Sequence, residues 1–432
     1  MRRRGFLLAV TLLGWAVLGP GGTGAQPLGG KSEFTVDELV THALGQNQDL
    51  QAMRAEVDAT LGRLQQAGLR PNPMLELNGQ RSPYSTDNNL MVGVTVPLDL
   101  NGRLEGRIGV ADREAELKRK QLSDKERKMR AEVRMKAGEV LAAQRNLSFT
   151  DELLQANRRA REIVGERAQK GAVPPLEENL LLVEVNRLDA SRRILQSRVE
   201  ISTLQLKTLA GMAPEARLSL RGSLPDALAP GWKEALKPSI EERPDVASAR
   251  TETELARAKI EKEKAEGRWD ASVSVGYQRT RSGFMNVMGL SETGAMRSIE
   301  DTFDMLGVGL TIMLPFRNQN QGNIAAAVAE ARSADRRLEF TRLTARQEIA
   351  AAIAQYTAAK QSLEIYEKGV REIARRNLDV VWKTYELGRT ALLDAIAEQR
   401  RYIDIEMGYT EAMKQVYEAA VEIERAHAVT GR

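Results

Sequence analysis

The sequence contains no cysteine, two histidines and only 4% aromatic residues among its 432 positions. Without cysteine the chain forms no disulfide and no thiolate metal site, and it lacks the residue that bacterial lipoproteins acylate. The two histidines, His42 and His427, stand near opposite ends, and no motif pairs a nucleophile with a base. These absences argue against an enzyme, and we expect no catalytic residue, cofactor or resident metal.

Long apolar runs are also missing beyond the first residues. Three arginines follow Met1, residues 6–18 are apolar, and residues 23–25 form the small-residue site Thr-Gly-Ala. This pattern predicts a secretory signal peptide over residues 1–25, cleaved before Gln26. The apolar run is shorter than the ~20 residues of a membrane-spanning helix, which argues against the alternative of an uncleaved anchor. No comparable run follows, so no transmembrane helix is predicted.

A strong charge imbalance is absent as well. The net charge is +4, and three of those charges are the arginines after Met1. The remaining chain is close to neutral, so its basic isoelectric point does not indicate nucleic-acid binding. Residues 25–32 fit a permissive phosphate-loop pattern, but no strand precedes them and signal cleavage would divide them. We expect neither a nucleotide nor a nucleic acid as ligand.

What the sequence does contain is an internal duplication. Residues 48–56 resemble 244–252, and residues 92–96 resemble 308–312, at shifts of 196 (245 − 49) and 216 (308 − 92). Farther on, Gly171 and Glu177 match Gly388 and Asp394 at a shift of 217 (388 − 171). The chain is therefore predicted to hold two repeats, 26–231 and 232–432. The change of shift indicates an insertion in the second repeat, between about residues 281 and 304.

Both repeats follow the same predicted plan of a helical segment, two strands and two long helices. The helical segments are 36–69 and 232–267, and the strands are about 74–81 and 90–98, then about 271–279 and 306–316. The long helices are 103–169 and 176–210, then 323–386 and 391–428. At ~1.5 Å per residue the first of these is about 100 Å long, which fits a bundle or tube of helices better than a globular core.

The predicted strands alternate apolar residues with small or polar ones. We expect Val94 and Leu310 to face lipid, and Thr95 and Thr311 to face a lumen. Four strands cannot close a membrane barrel, because the smallest have about 8; three chains would supply 12. The predicted fold is mainly α with a membrane β-barrel portion: a trimeric 12-stranded β-barrel continued by an α-helical barrel. An ordinary coiled coil would explain the alanine-rich helices equally well, but not the strands.

Three segments carry a family resemblance: residues 67–73 (AGLRPNP), 314–322 (LPFRNQNQG) and 385–390 (YELGRT). With the duplication, they make the chain resemble the TolC-type outer-membrane efflux proteins, in particular the heavy-metal branch typified by CzcC and CusC. The resemblance implies a homotrimer in the outer membrane, in contact with its lipid. It also implies a helical tunnel in the periplasm, a periplasmic adaptor and an inner-membrane pump of the RND type. Such a channel passively conducts metal cations or drugs, and its pump determines the substrate. Some members of the branch are lipoproteins, and this chain departs from them in lacking the cysteine.

The helix breaks at Gly171 and Gly388 are predicted to be C-terminal caps with positive φ. The resemblance adds that the adaptor contacts the channel at these tips. The residues expected there are Gln169, Gly171, Val173, Leu387, Gly388 and Thr390.

The resemblance also implies an acidic ring at the closed periplasmic mouth, formed by Asp394. A second aspartate of some members falls at Ala397, so the motif is half present, and Glu177 and Glu398 are candidates to complete the gate. The alternative role for Asp394 is to complement the helix dipole, which contributes roughly 0.3–1 kcal/mol.

The predicted insertion contains thioether groups, which favour Cu(I). They belong to Met285, Met288 and Met296, with Met305 just beyond. Methionines scattered in an extracellular loop are more often incidental, and we do not count them as a metal site. The two functional alternatives to a channel are a periplasmic adaptor and a structural coiled-coil protein without a pore.

Overall fold

The computed structural model describes residues 33–83, 85, 87–227 and 240–427. The helices are α1 Val36–Gln46, α2 Gln48–Ala67, α3 Arg103–Gln169, α4 Pro175–Leu209, α5 Leu224–Ala227, α6 Pro244–Glu266, α7 Gln321–Ile365, α8 Arg371–Glu386 and α9 Leu392–His427. The strands are β1 Glu33–Phe34, β2 Met74–Arg81, β3 Asn88–Pro97, β4 Ser219–Leu220, β5 Asp270–Leu290 and β6 Met296–Met313. The predicted signal peptide lies outside the described residues.

The long helices pack side by side along α3, which has 67 residues. Near the sheet the order across the bundle is α2, α3, α6 and α7, and farther away it is α4, α3, α9 and α8. Four helices therefore lie abreast at either level. The main core includes Leu39, Val133, Leu206 and Met413. None of the described helices has both the length and the hydropathy to cross a membrane.

The larger sheet has the strand order β2-β3-β5-β6, and all its pairs are antiparallel. It extends from the end of the bundle at which α2, α3, α6 and α7 meet the strands. Among the described strands, β2 and β6 are its two edges. A smaller sheet pairs β1 with β4 in parallel beside the bundle.

Several sequence predictions need correction. The predicted helical segment 232–267 lies outside the described residues up to 239, and its α-helix begins only at Pro244, because proline suits the first turn of a helix and not its interior. The first helical segment breaks at Asn47, whose side-chain oxygen accepts hydrogen bonds from the amides of Asp49 and Leu50 and so caps α2. The predicted helix 323–386 is interrupted by a π turn, Tyr366–Val370. The insertion is not a loop, because β5 and β6 continue into it as a hairpin whose pairing is irregular between Gly283 and Met288. In addition, β6 ends at Met313, before the predicted residue 316.

Candidate functional site at the helical tips and on the sheet

One face of the larger sheet is apolar and exposed. Two rows of paired residues run across all four strands on this face: Leu75, Val94, Val275 and Val308, then Leu77, Val92, Tyr277 and Leu306. Val308 and Leu306 are 81% and 84% exposed. A contiguous apolar surface of this kind marks contact with a membrane or a protein, because water around it is unfavourable.

The opposite face carries mainly small and polar side chains, with Met74, Met91, Phe303 and Met305 among them. Its rows include Thr95, Ser274 and Gly309, and next to them Gly93, Gly276 and Gly307. Val94 and Thr95 therefore lie on opposite faces, as predicted, and so do Leu310 and Thr311. We call these the apolar face and the small-residue face.

Two helix-to-helix turns lie at the end of the bundle remote from the sheet, and they have the same local geometry. Gly171 has φ +70° and Gly388 has φ +71°. Beyond each glycine the chain bonds back to the preceding helix, from the amide of Ala172 to the carbonyl of Arg167 and from Arg389 to Thr384. These are Schellman-type caps, in which the left-handed residue is favoured to be glycine. We call the α3–α4 turn the first tip and the α8–α9 turn the second tip.

The two tips pack against each other. Val164, Leu181, Leu392 and Ile396 form a buried cluster between them. Beside this cluster the Tyr385 hydroxyl donates a hydrogen bond to the Glu177 carboxylate at 2.6 Å. Burial, and then this hydrogen bond, raise the pKa of Tyr385, so its hydroxyl remains a donor at neutral pH.

The three candidate gate acids have different surroundings. Asp394 is exposed in the first turn of α9. Glu177 is half-buried and accepts the Tyr385 hydrogen bond, whereas Glu398 is buried and forms an ion pair with Arg401 at 2.5 Å. Within a single chain, Asp394 is thus the acid of the three that is open to a neighbour or to solvent.

The candidate adaptor-contact residues lie together at the tips. Gln169, Gly171, Leu387 and Gly388 are exposed, while Val173 and Thr390 are half-buried. Leu387 is 69% exposed although it is a large apolar residue. Such a residue at a protruding turn is suited to contact with another protein.

Comparison with known proteins decides what this arrangement is. Residues 39–211 and 235–428 match the outer membrane efflux protein family. The chain belongs to that family. It is 25% identical over 392 residues to the cobalt-zinc-cadmium resistance protein CzcC of Cupriavidus metallidurans, covering 91% of this chain and 89% of that one. Its fold resembles that of CusC, with a TM-score of 0.75 at 16% identity over 91% of this chain and 92% of the other. The outer-membrane protein VceC of Vibrio cholerae gives a TM-score of 0.69 at 16% identity over 91% and 95%.

Family membership identifies the chain as an outer-membrane efflux channel component that works with an adaptor and a pump of the RND type. The family is one of transport channels and not a class of enzymes. It therefore favours the channel over the two alternatives from the sequence, an adaptor and a poreless coiled coil.

Two features of this efflux protein escaped the sequence analysis. The first is Tyr385, whose role depends on Glu177, 208 residues away in the chain. The second is a pair of exposed apolar stripes on the outermost helices. On α4 the stripe is Leu176, Val183, Ala190, Ile194 and Ile201, and on the last helices it is Ile365, Ile373, Val380 and Leu387. Their spacings of seven or eight residues, with one step of four between Ala190 and Ile194, would have revealed both stripes.

The described part of the efflux protein shows no metal centre of the usual kind. Within the described ranges no group of three or more histidine, aspartate or glutamate side chains could hold an ion. Met288, Met296 and Met305 lie on the β5–β6 hairpin with exposed side chains. They are in strands and not in the predicted loop.

Proposed function

We propose that three copies of this chain close into one channel, with a 12-stranded barrel in the outer membrane and a helical tunnel in the periplasm. The observation that carries the proposal is the pair of open edges. In a single chain β2 and β6 each have one neighbour among the described strands. A barrel in lipid must pair every strand, so β2 of one copy meets β6 of the next.

The helices support the same closure. Ile194 on α4 is 71% exposed and Val380 on α8 is 59% exposed, and these helices are the two outer members of the bundle away from the sheet. Apolar stripes that repeat every seven residues pack well against a second helix. A ring of three chains brings the α4 stripe of one copy against the α8 stripe of its neighbour.

Engineered cysteines test this arrangement cleanly, because the chain has none of its own. We would combine Val183→Cys with Val380→Cys and oxidise the protein in membranes. The expected product is a disulfide-linked trimer on a denaturing gel, and each single variant is the matched control that stays monomeric. Monomer alone from the double variant, with both thiols free, would contradict the proposed ring.

The proposed cargo is metal cations. The support is the similarity to CzcC, which is named for resistance to cobalt, zinc and cadmium. An RND-type pump would deliver the ions, and the periplasmic adaptor would contact the first and second tips through the candidate residues around Gly171 and Gly388. Asp394, exposed at the second tip, would form the acidic ring of the closed mouth with its two copies.

The membrane attachment belongs to the same proposal. Residues 1–25 would act as a cleaved signal peptide, and the apolar face of the sheet would hold the mature protein in the outer membrane without an attached lipid. The support for this is the leader pattern and the lack of cysteine in the sequence.

A further inference from the structure

Glu76 occupies an unusual position on the small-residue face. Its row across the sheet is Glu76, Gly93, Gly276 and Gly307. Three successive glycines leave that row without any other side chain. Glu76 itself is exposed, and among the described residues the only side chain that lies against the glycines of its row on this face is the neutral Met91, whose methyl carbon lies 3.8 Å from the place of a Cβ at Gly93 and at Gly276.

Among the described residues, no other ionised side chain shares this part of the small-residue face. The face is defined by strand parity, and between the rows of Ser272 and Thr280 its described positions other than Glu76 are neutral. Apart from the four glycines Gly93, Gly276, Gly307 and Gly309, they are Met74, Asn78, Gln80, Asn89, Met91, Thr95, Pro97, Ser272, Ser274, Gln278, Thr280, Phe303, Met305 and Thr311.

The nearest charges lie at the ends of this face or on the other face. Asp270 is at the end next to the helices and forms an ion pair with Arg103 at 3.3 Å, while Asp301 is at the hairpin end. Arg279 and Arg281 lie on the apolar face, directly beyond the exposed apolar rows. On the described strands, Glu76 thus has no cation opposite it on its own face.

We propose that Glu76 and its two copies form a ring of carboxylates inside the barrel, which makes the barrel itself select cations. The inference rests on the proposed trimer and adds a second charged zone to the one at the tips. The two zones are far apart, because α3, about 100 Å long at ~1.5 Å per residue, lies between them.

The physical basis is the low-dielectric wall around the ring. Glu76 lies in the row between those of Leu77 and Leu75, within the exposed apolar band. Hydrocarbon outside a water-filled pore concentrates the field of fixed charges in the lumen. Salt screens that field over about 10 Å at 0.1 M and about 30 Å at 0.01 M, so the cation preference should rise as the salt is diluted.

The first test measures reversal potentials in planar bilayers under a potassium chloride gradient. The Asp394→Asn protein is the background, because it removes the exposed candidate gate acid and makes the contribution of Glu76 to selectivity easier to measure. Adding Glu76→Gln should lower the cation-to-anion permeability ratio several-fold, with the larger effect at low salt. Adding Asn78→Asp to that variant moves the charge one row along the same face and should restore the preference.

The second test uses the absence of native thiols. Glu76→Cys should react with a charged methanethiosulfonate reagent in the assembled channel, and a positively charged adduct should lower cation current while a negative one restores it. Leu77→Cys, on the apolar face, is the control and should react slowly. A wild-type protein that conducts no current would contradict the proposed channel. Normal conductance with the same selectivity in Glu76→Gln, or an unreactive thiol in the Glu76→Cys variant, would overturn the Glu76 ring alone.

Discussion

The Tyr385 hydroxyl joins the two tips through its hydrogen bond to Glu177. A hydrogen bond to a charged acceptor contributes roughly 1.5–3 kcal/mol, and partial exposure here favours the lower end. Tyr385→Phe should therefore loosen the closed mouth and raise the mean current through single channels. The control is Tyr402→Phe, which removes a hydroxyl that donates a hydrogen bond to Glu406 within α9 and does not join the two tips. Equal currents in both variants would show that the tip contact does not restrain the mouth.

Asp394 differs from Glu177 in having an open carboxylate, and this difference separates its two candidate roles. A ring of three such charges attracts cations and opposes tight closure. Asp394→Asn keeps the shape and removes the charge, so we expect weaker block by multivalent cations and lower cation preference. Glu386→Gln, an exposed acid at the end of α8, is the control. If Asp394→Asn changes neither property, the aspartate serves only the helix dipole.

At the scale of the strand, the apolar and small-residue faces predict opposite responses to one added charge. Val94→Lys places the ammonium on the apolar face, where a lysine near the middle of a bilayer costs roughly 2–4 kcal/mol. Thr95→Lys places it on the small-residue face, in contact with lumen water. We expect few assembled trimers for Val94→Lys and normal amounts for Thr95→Lys on a non-denaturing gel. Equal assembly would contradict the lipid-facing assignment.

The π turn at Tyr366–Val370 follows Ile365 directly, and we infer that it keeps the apolar stripe of the last helices in phase. Eight residues separate Ile365 from Ile373, whereas seven separate Ile373, Val380 and Leu387. A π turn accommodates one extra residue. Deleting Gly369 should therefore rotate α8 by about 100° relative to α7, since an α-helix has 3.6 residues per turn. We expect the Val183–Val380 cross-link to disappear.

Gly369→Ala is the length-preserving control, because a methyl group there has no heavy atom within 4 Å. It should form the cross-link as well as the parent protein does. A persistent cross-link after the deletion would mean that the π turn is not what keeps the stripe in phase.

Some helix boundaries could be predicted from the sequence and others could not. Helix α3 spans the predicted residues, because Gly102 and Gly171 with positive φ delimit it. The break at Asn47 was missed, since one asparagine without proline or glycine beside it ended one helix and capped the next. The π turn was missed for a different reason: it includes a contact between distant residues, because Tyr366, its first residue, lies against Gly408 of α9.

At the scale of the whole molecule, the duplication is symmetric in its backbone and asymmetric in its chemistry. The two glycine caps have nearly the same φ, yet the residue equivalent to Tyr385 at a shift of 217 is Ala168. Glu177 therefore has a tyrosine partner within the chain, while its counterpart Asp394 lacks the equivalent one. The sequence predicted both acids, but their different surroundings depend on contacts between segments more than 200 residues apart.

The mature protein should begin at Gln26 and carry no lipid. The predicted leader combines three arginines, a short apolar segment and small residues at 23–25, and the sequence has no cysteine to acylate. The membrane attachment then depends on the apolar face of three sheets, each with exposed rows such as Leu75, Val94, Val275 and Val308. Intact mass spectrometry of protein extracted from outer membranes should give the mass of residues 26–432 without an addition. Ala25→Lys, which blocks the cleavage site, is the matched variant and should retain the leader. A wild-type mass that includes residues 1–25 or an acyl chain would contradict this mode of attachment.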